Sequence, residues 1–400
     1  MKRLVPLYVA GFFQSFVLWY TIEKLFMHSI GFNDTQIGLM VAVYSAVMLL
    51  VETPSGILAD RWSRKGVLIL ASLSLALGSL LGGLSHGIVL YLFSAVFWGI
   101  FFACYSGMYD TIIYDCIAEE NADSTLFDYL YGRCQLIDSL GLVTGGIVGA
   151  YIANITNLRA VYFIAAPLAL LGIVALVAFR EPTLHKKQKV LTVKIQVKSV
   201  LDAVLKNRSL VPVIIVLVVR ATVVYILFEF AQLWLIALGT PTKYYGIAYG
   251  ILFSSVGLGG ILVNRLKLSN QAATIPLLLL ALLGSAGLII SRNTALIIAA
   301  QLVLATTLTC IYVVFSRYLH DALQPSIRAG AASATSTIGR FFIIPLALLF
   351  GYTSQHFSVY MAGFILIILV AVMIPFVLTV TRRASSAAFT PTIPLSDLEK

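Results

Sequence analysis

Polar and apolar residues alternate along this chain in long blocks. Twelve apolar runs cover 5–29, 35–55, 66–85, 88–117, 125–152, 158–179, 209–238, 243–263, 273–291, 295–319, 328–351 and 357–380. A helix needs roughly 20 apolar residues to cross a bilayer, so each run predicts a membrane-spanning helix. The intervals carry turn formers, such as Gly31-Phe32-Asn33-Asp34, Ser85-His86-Gly87 and Gln324-Pro325-Ser326. A hydrophilic stretch at 180–208 divides the runs six and six. The predicted fold class is an all-α membrane protein of twelve transmembrane helices in two six-helix bundles. The bundles are 1–180 and 209–380, joined by a linker at 181–208, with a disordered tail from 381. Polarity is uneven among the runs. The third, sixth, ninth and twelfth are almost free of charge and suit a lipid-facing position; the first, fourth, fifth, seventh and eleventh carry intramembrane charges.

Composition agrees with lipid as the solvent. Of 400 residues, 60% are hydrophobic and 11% charged, with mean hydropathy +0.96. A soluble protein carries about 25% charged residues. The net charge of +10 does not indicate nucleic acid, because the basic residues sit in short loops. Their distribution predicts the orientation instead. With the N-terminus inside, Lys2, Arg3, Arg61, Arg64, Lys65, the basic residues of 180–208, Arg265, Lys267, Arg317, Arg328, Arg382, Arg383 and Lys400 face the cytoplasm. Only Lys24, Arg159, Lys243 and Arg292 fall outside. The linker reads as an amphipathic helix on the anionic leaflet or, alternatively, a regulatory site. Cys104, Cys116, Cys134 and Cys310 form no CxxC pair, so neither a zinc site nor a disulfide framework is indicated.

The two halves repeat each other faintly. Gly56-Ile57-Leu58-Ala59-Asp60-Arg61-Trp62-Ser63-Arg64-Lys65 reads as a charged turn between the second and third runs. Gly260-Ile261-Leu262-Val263-Asn264-Arg265 is its weaker copy. Trp19 precedes Glu23 by four residues, as Tyr225 precedes Glu229. Gly132-Arg133 in the fifth run matches Gly339-Arg340 in the eleventh. Parallel repeats of this kind are a transporter architecture, with the site between the halves near the midplane.

The segment from Gly56 to Lys65 resembles the signature loop between the second and third helices of the major facilitator superfamily. Glu52-Thr53-Pro54-Ser55 resembles the lead-in of its bacterial efflux-type members. There are departures. Ser63 stands where the family usually has glycine, the fourth run lacks the antiporter arginine, and the series Gly141, Gly145, Gly146, Gly149 contains no proline. The resemblance implies rocker-switch alternating access. It also implies that Gly56, Asp60, Arg61, Arg64 and Lys65 form a gating loop that latches the outward-facing state. The plainer reading is an anchor of positive charge.

An ionisable group within a bilayer requires a reason. In the seventh run Thr222, Tyr225, Glu229 and Gln232 recur at intervals of 3, 4 and 3, placing them on one helix face. Glu229 is the first candidate for a proton-exchanging or cation-binding carboxylate. Glu23 is its counterpart in the first run, although the neighbouring Lys24 suggests an interfacial position. Asp110 is expected within the membrane, and Asp115, Glu119 and Glu120 near its cytoplasmic surface, beside basic partners. Arg133 has Asp138 and Asp110 as possible partners, and Arg340 has Glu229. Each pair is either structural or opens when substrate or a proton arrives. Arg220, on the face opposite Glu229, reads as structural. Trp19 and Tyr225 suit contact with an amphipathic or cationic substrate. The glycine series reads as helix packing.

These features predict a monomeric secondary transporter in the cell membrane, with both termini cytoplasmic. It takes a small-molecule substrate, contacts membrane lipids and needs no cofactor beyond a proton gradient. Proton-coupled efflux (antiport) of amphipathic compounds, as by multidrug permeases, is the leading expectation. Uptake of a small metabolite is the alternative within transport. A non-transporting sensor or a lipid-moving protein is the alternative outside it. An enzyme is not expected, since the five histidines are scattered and no metal cluster is apparent.

Overall fold

The computed structural model describes residues 2–120, 126–182, 210–266, 271–321 and 325–385. Most of the expected linker and the tail beyond 385 lie outside them. The regular elements among the described residues are all helices, without a β-strand. The first span comprises α1 (Val5–Ser15) and α2 (Glu23–Ser29). The second is α3 (Asp34–Arg61) and the third α4 (Arg64–Leu84). The fourth comprises α5 (Ile88–Tyr105) and α6 (Met108–Glu119), followed by α7 (Leu126–Ile155) and α8 (Leu158–Ala178). The second half contains α9 (Leu210–Ala237), α10 (Tyr245–Leu266), α11 (Gln271–Ile290), α12 (Thr294–Asp321), α13 (Pro325–His356) and α14 (Val359–Ser385). Eleven stretches are long and apolar enough to cross a membrane, and the apolar Thr274–Ile290 supplies a shorter one in the ninth position. The twelve expected runs therefore each become helix.

Two spans are broken, for different reasons. Between α5 and α6, Ser106 leaves the helix and Gly107 takes φ +73°, a conformation glycine adopts at little cost. The first span has no glycine or proline at its break, where residues 16–19 unwind before a short turn at Tyr20–Ile22. The cause lies on α7, whose glycines form a groove. A Cβ at Gly141 would stand 2.7 Å from the Phe12 carbonyl oxygen, and one at Gly149 only 1.8 Å from that of Leu18. Thr21 Oγ1 donates to the Gly146 carbonyl at 3.0 Å. The unwound backbone thus lies directly against a side chain-free strip, and the glycines serve close packing.

The charged turn is shorter than the sequence suggests. α3 continues through Pro54 to Arg61, so only Trp62 and Ser63 leave the helical path before α4. Gly260 to Arg265, read as a second turn, is helix within α10. Helix-capping chemistry explains where α4 begins: Ser63 Oγ accepts from Gly66 N at 2.8 Å. Asn33 caps α3 in a capping box with Gln36.

Contacts divide the chain into two compact units. The first holds 1–190, 232–250 and 344–356; the second holds 191–231, 251–343 and 357–400. The first unit thus takes in one end each of α9, α10 and α13, at the end of the bundle away from the N-terminus. There the backbones nearly touch. A Cβ at Gly246 would stand 2.5 Å from the Gly146 carbonyl oxygen, one at Gly38 2.5 Å from that of Ala347, and one at Gly351 2.5 Å from that of Asp34. Exposed apolar side chains occur on helices of both halves, among them Leu50 on α3, Val174 on α8, Val256 on α10, Leu283 on α11 and Ile368 on α14, so exposure alone does not single out the third, sixth, ninth and twelfth spans.

Candidate functional site

The first-span break builds the most enclosed charge cluster in the first unit. Glu23 opens α2, and its carboxylate pairs with the ammonium of adjacent Lys24. Lys24 is 1% exposed and Glu23 3%, so the interfacial position expected from the sequence does not hold. The pair is tolerated because its polar atoms are satisfied. Tyr91 of α5 donates to Glu23 Oε1 at 3.2 Å and shares a 2.8 Å bond with Tyr162 of α8. Gln232 of α9 accepts from Lys24 N at 2.8 Å and donates to the Tyr20 carbonyl at 2.9 Å. Trp19 Nε1 donates to Ser79 of α4 at 2.8 Å, and its ring stacks on Tyr162 at 5.1 Å. Trp19, Glu23 and Gln232 are therefore brought together, as three of the expected site residues. Tyr91, Tyr162 and Ser79 were not singled out in the sequence; as lone polar groups in apolar runs they offered only a weak signal.

A second cluster surrounds Asp138 of α7. Tyr105, the last residue of α5, donates to Asp138 Oδ2 at 2.6 Å, and its hydroxyl lies 3.3 Å from Ser15 Oγ, at the end of α1. Asp138 Oδ1 is buried without a hydrogen-bond partner. It occupies the space that a side chain at Gly11 would fill, 2.6 Å from that Cβ position. Beside it, Gln14 donates to the Leu68 carbonyl at 2.9 Å and to Ser72 at 2.8 Å, and accepts from Tyr109. The expected Arg133–Asp138 and Arg133–Asp110 pairs do not form. Arg133 stands over the rings of Tyr8 and Tyr129, at 5.8 and 5.7 Å. Five residues turn a helix through about 500°, so Arg133 and Asp138 point to different faces.

The charged loop forms a network at the opposite end from the glycine contacts. Arg64 pairs with Asp115 of α6 and with Asp60 at 3.4 Å. Glu181, beyond α8, accepts from Ser63 Oγ at 2.6 Å, from Arg64 N at 2.5 Å and from Lys65 N at 3.2 Å. Its charge thereby sits at the positive end of α4. Lys65 donates to the Val177 and Phe179 carbonyls at the end of α8, at 2.9 and 2.8 Å. Arg3 meets Glu119 at 2.6 Å, so basic partners do accompany the acidic end of α6. Asp110 is half-buried in the first turn of α6, and Asp115, nearer the Glu119 end, is buried against Arg64. Arg61 is exposed and Gly56 half-buried, with open space at its Cβ position.

In the second unit, Thr222 is 2% exposed and Glu229 6%, with Tyr225 half-buried on the same helix. Arg220 donates to the Leu308 carbonyl of α12 at 3.1 Å and lies 4.5 Å from the Tyr312 ring, a structural tie. Arg340 is half-buried on α13. No group of three or more His, Cys, Asp or Glu that could hold a metal occurs among the described residues.

Comparison with known proteins follows this geometry. A model of the Major Facilitator Superfamily matches residues 4–347. Multidrug resistance protein 1 of Bacillus subtilis (strain 168) is 25% identical over 162 residues, 40% of this chain and 40% of that protein. The match therefore spans well under half of that relative's length. Among solved structures, the nucleoside transporter NupG superposes with a TM-score of 0.75 at 14% identity, covering 96% of this chain and 99% of its own. A bacterial homologue of the human lysosomal transporter Spinster, inward-facing and occupied, gives 0.73 at 14% identity, covering 94% and 95%. At such identity the superpositions establish the fold.

Proposed function

The chain belongs to the major facilitator superfamily, and on that premise we propose that it exports small amphipathic molecules across the cell membrane in exchange for protons. It is a multi-pass membrane transporter of small molecules with the fold of that family. Direction, coupling ion and cargo are our reading. The working unit is a single chain with both termini in the cytoplasm, as the basic loops favour.

The observation that carries the reading is Glu229. It is 6% exposed, in the second half of a mostly apolar helix and on the same face as Thr222, Tyr225 and Gln232. A carboxylate buried there carries a desolvation cost, and exchanging a proton would let it pass between charged and neutral forms as access alternates. Export is favoured by the resemblance of 52–65 to efflux-type members and by the relative named for multidrug resistance. The aromatic lining of the first span suits amphipathic cargo. Rocking of the helices around this region would expose the site to each side in turn, while the Arg64 network holds or releases the cytoplasmic ends.

The test uses proteoliposomes with an imposed pH gradient and a fluorescent amphipathic dye. Wild-type protein moves dye against its gradient only while the pH gradient lasts. Glu229→Gln abolishes the gradient-driven component and leaves passive dye exchange. Undiminished proton-driven transport in that variant refutes the carboxylate assignment. Dye movement down its gradient alone, insensitive to pH, refutes coupling altogether.

A further inference from the structure

α1 and α8 pack side by side and share one end of the first unit. α1 begins there behind the short turn Lys2–Leu4, and α8 finishes there at Ala178. A cavity of about 530 Å³ opens between them, lined by Lys2, Arg3, Pro6, Ala178 and Arg180. Three of these residues are basic and none is acidic. We propose that this groove binds the phosphate of an anionic phospholipid, whose acyl chains run along the seam between α1 and α8. The inference needs only that the chain spans a bilayer. Direction, coupling ion and cargo do not enter it.

The charges of the groove are held in place but not used up. Arg3 Nε donates to the Arg180 carbonyl at 2.8 Å, and Nη1 meets Glu119 at 2.6 Å. These bonds fix the guanidinium and leave Nη2 uninvolved, and its N–H fork suits phosphate oxygens. Lys2 and Arg180 are exposed, and their side chains make no hydrogen bond or ion pair among the described residues. The nearby acids are directed elsewhere. Glu119 and Glu120 approach Arg3, at 2.6 and 3.8 Å, without lining the groove, and Glu181 is spent on the first turn of α4. Helix ends add to the field. Lys65 covers the Val177 and Phe179 carbonyls at the negative end of α8, while the positive end of α1 carries no side-chain cap. A basic pocket between spanning helices is a known form of headgroup site. The apolar part of the groove favours a lipid over a soluble phosphate. Pro6 and Ala178 line it below the basic rim, and exposed valines continue it along both helices. Val9 lies one turn beyond Val5 on α1, and Val174 one turn before Ala178 on α8, each about 6 Å further from the rim. The order of charged rim and apolar seam is that of a phospholipid. A headgroup carrying an amine would bring a cation against Lys2 and find no acid in the lining.

Equilibrium binding of radiolabelled lipid to the immobilised full-length chain in detergent tests the site. The probes are phosphatidylglycerol and phosphatidylcholine with the same acyl chains. Wild-type protein binds phosphatidylglycerol saturably and on the order of tenfold more tightly than phosphatidylcholine. Arg180→Gln weakens phosphatidylglycerol about fivefold, and Lys2→Gln added to it removes the preference between the lipids. Arg382→Gln, an exposed arginine on α14, leaves the preference intact. Ala178→Phe fills the groove without changing its charge and weakens phosphatidylglycerol several-fold. Inorganic phosphate in millimolar excess does not displace the lipid. Thiol-dye melting checks that each variant folds. Equal affinity of the wild type for the two lipids, equal losses in Arg180→Gln and Arg382→Gln, an unchanged affinity in Ala178→Phe, or full displacement by inorganic phosphate overturns the proposal. The last result would mark a soluble-anion site. Because no transport is measured, failure of export or of proton coupling leaves this result standing, and the converse holds.

Discussion

Gly149→Ala is the sharpest test of why the first span unwinds. The added methyl would sit 1.8 Å from the Leu18 carbonyl oxygen, 2.5 Å from its carbon and 2.8 Å from its Cα. Ordinary contact begins near 3.4 Å, so backbone must move by about 1.6 Å. No side chain can rotate away, because the obstacle is the main chain of residue 18 itself. That displacement pulls Thr21 from Gly146 and shifts the short segment leading to Glu23 and Lys24. Overpacking typically costs about 1–3 kcal/mol, and a backbone obstacle belongs at the upper end or above. Gly132→Ala on the same helix is the matched control. Nothing lies within 4 Å of its Cβ position, so helix propensity alone acts and contributes about 0.5–1 kcal/mol of stabilisation. The assay follows from the four free cysteines, all buried, which react with a fluorogenic maleimide only as the protein opens. At one fixed scan rate, Gly149→Ala melts several degrees below wild type and Gly132→Ala at or slightly above it. Coincident melting curves for Gly149→Ala and wild type would refute the account of the break as a response to the glycine strip.

Two other outcomes are expected. Lys24→Met strands a buried carboxylate and costs about 3–5 kcal/mol, while Glu23→Gln combined with Lys24→Met recovers most of the loss in the same melting assay; additive losses would show that the two side chains act separately. A cysteine introduced by Lys186→Cys is labelled by impermeant maleimide in everted but not in right-side-out vesicles, and the opposite pattern would invert the assigned orientation.

Much of the architecture could be read from hydropathy, because a spanning helix must be apolar over its whole length. The twelve runs, their turns and the buried face of Thr222 and Glu229 follow from that constraint. The break after Ser15 could not be read locally. Its cause is a groove on α7, more than a hundred residues along the chain. The break at Gly107 carried a visible signal, a Ser-Gly step in a long apolar run. Lys24 was misplaced because a lysine near a helix end usually reaches water, whereas here the adjacent Glu23 neutralises it inside the protein. Asp138 was read as a partner of Arg133 from proximity in sequence, though helical phase separates them. Its actual partner, Tyr105, lies 33 residues earlier. Glu181 was hidden for a related reason: a capping contact across spans leaves no periodic trace.

The glycine contacts at the far end of the first unit have a mechanical consequence. Interlocked side chains make a ratchet: separating them requires each tooth to rotate out and find its seat again. Gly146 against Gly246, and Gly38 against Gly351, bring main chain to main chain, while Ser354 and Gln355 hold Asp34 by hydrogen bonds beside them. Parting such a seam would need no rotamer change at the glycines, only the breaking of the Asp34 hydrogen bonds. In the alternating-access cycle proposed above, that end of the first unit would be a lubricated joint with a polar latch at Asp34.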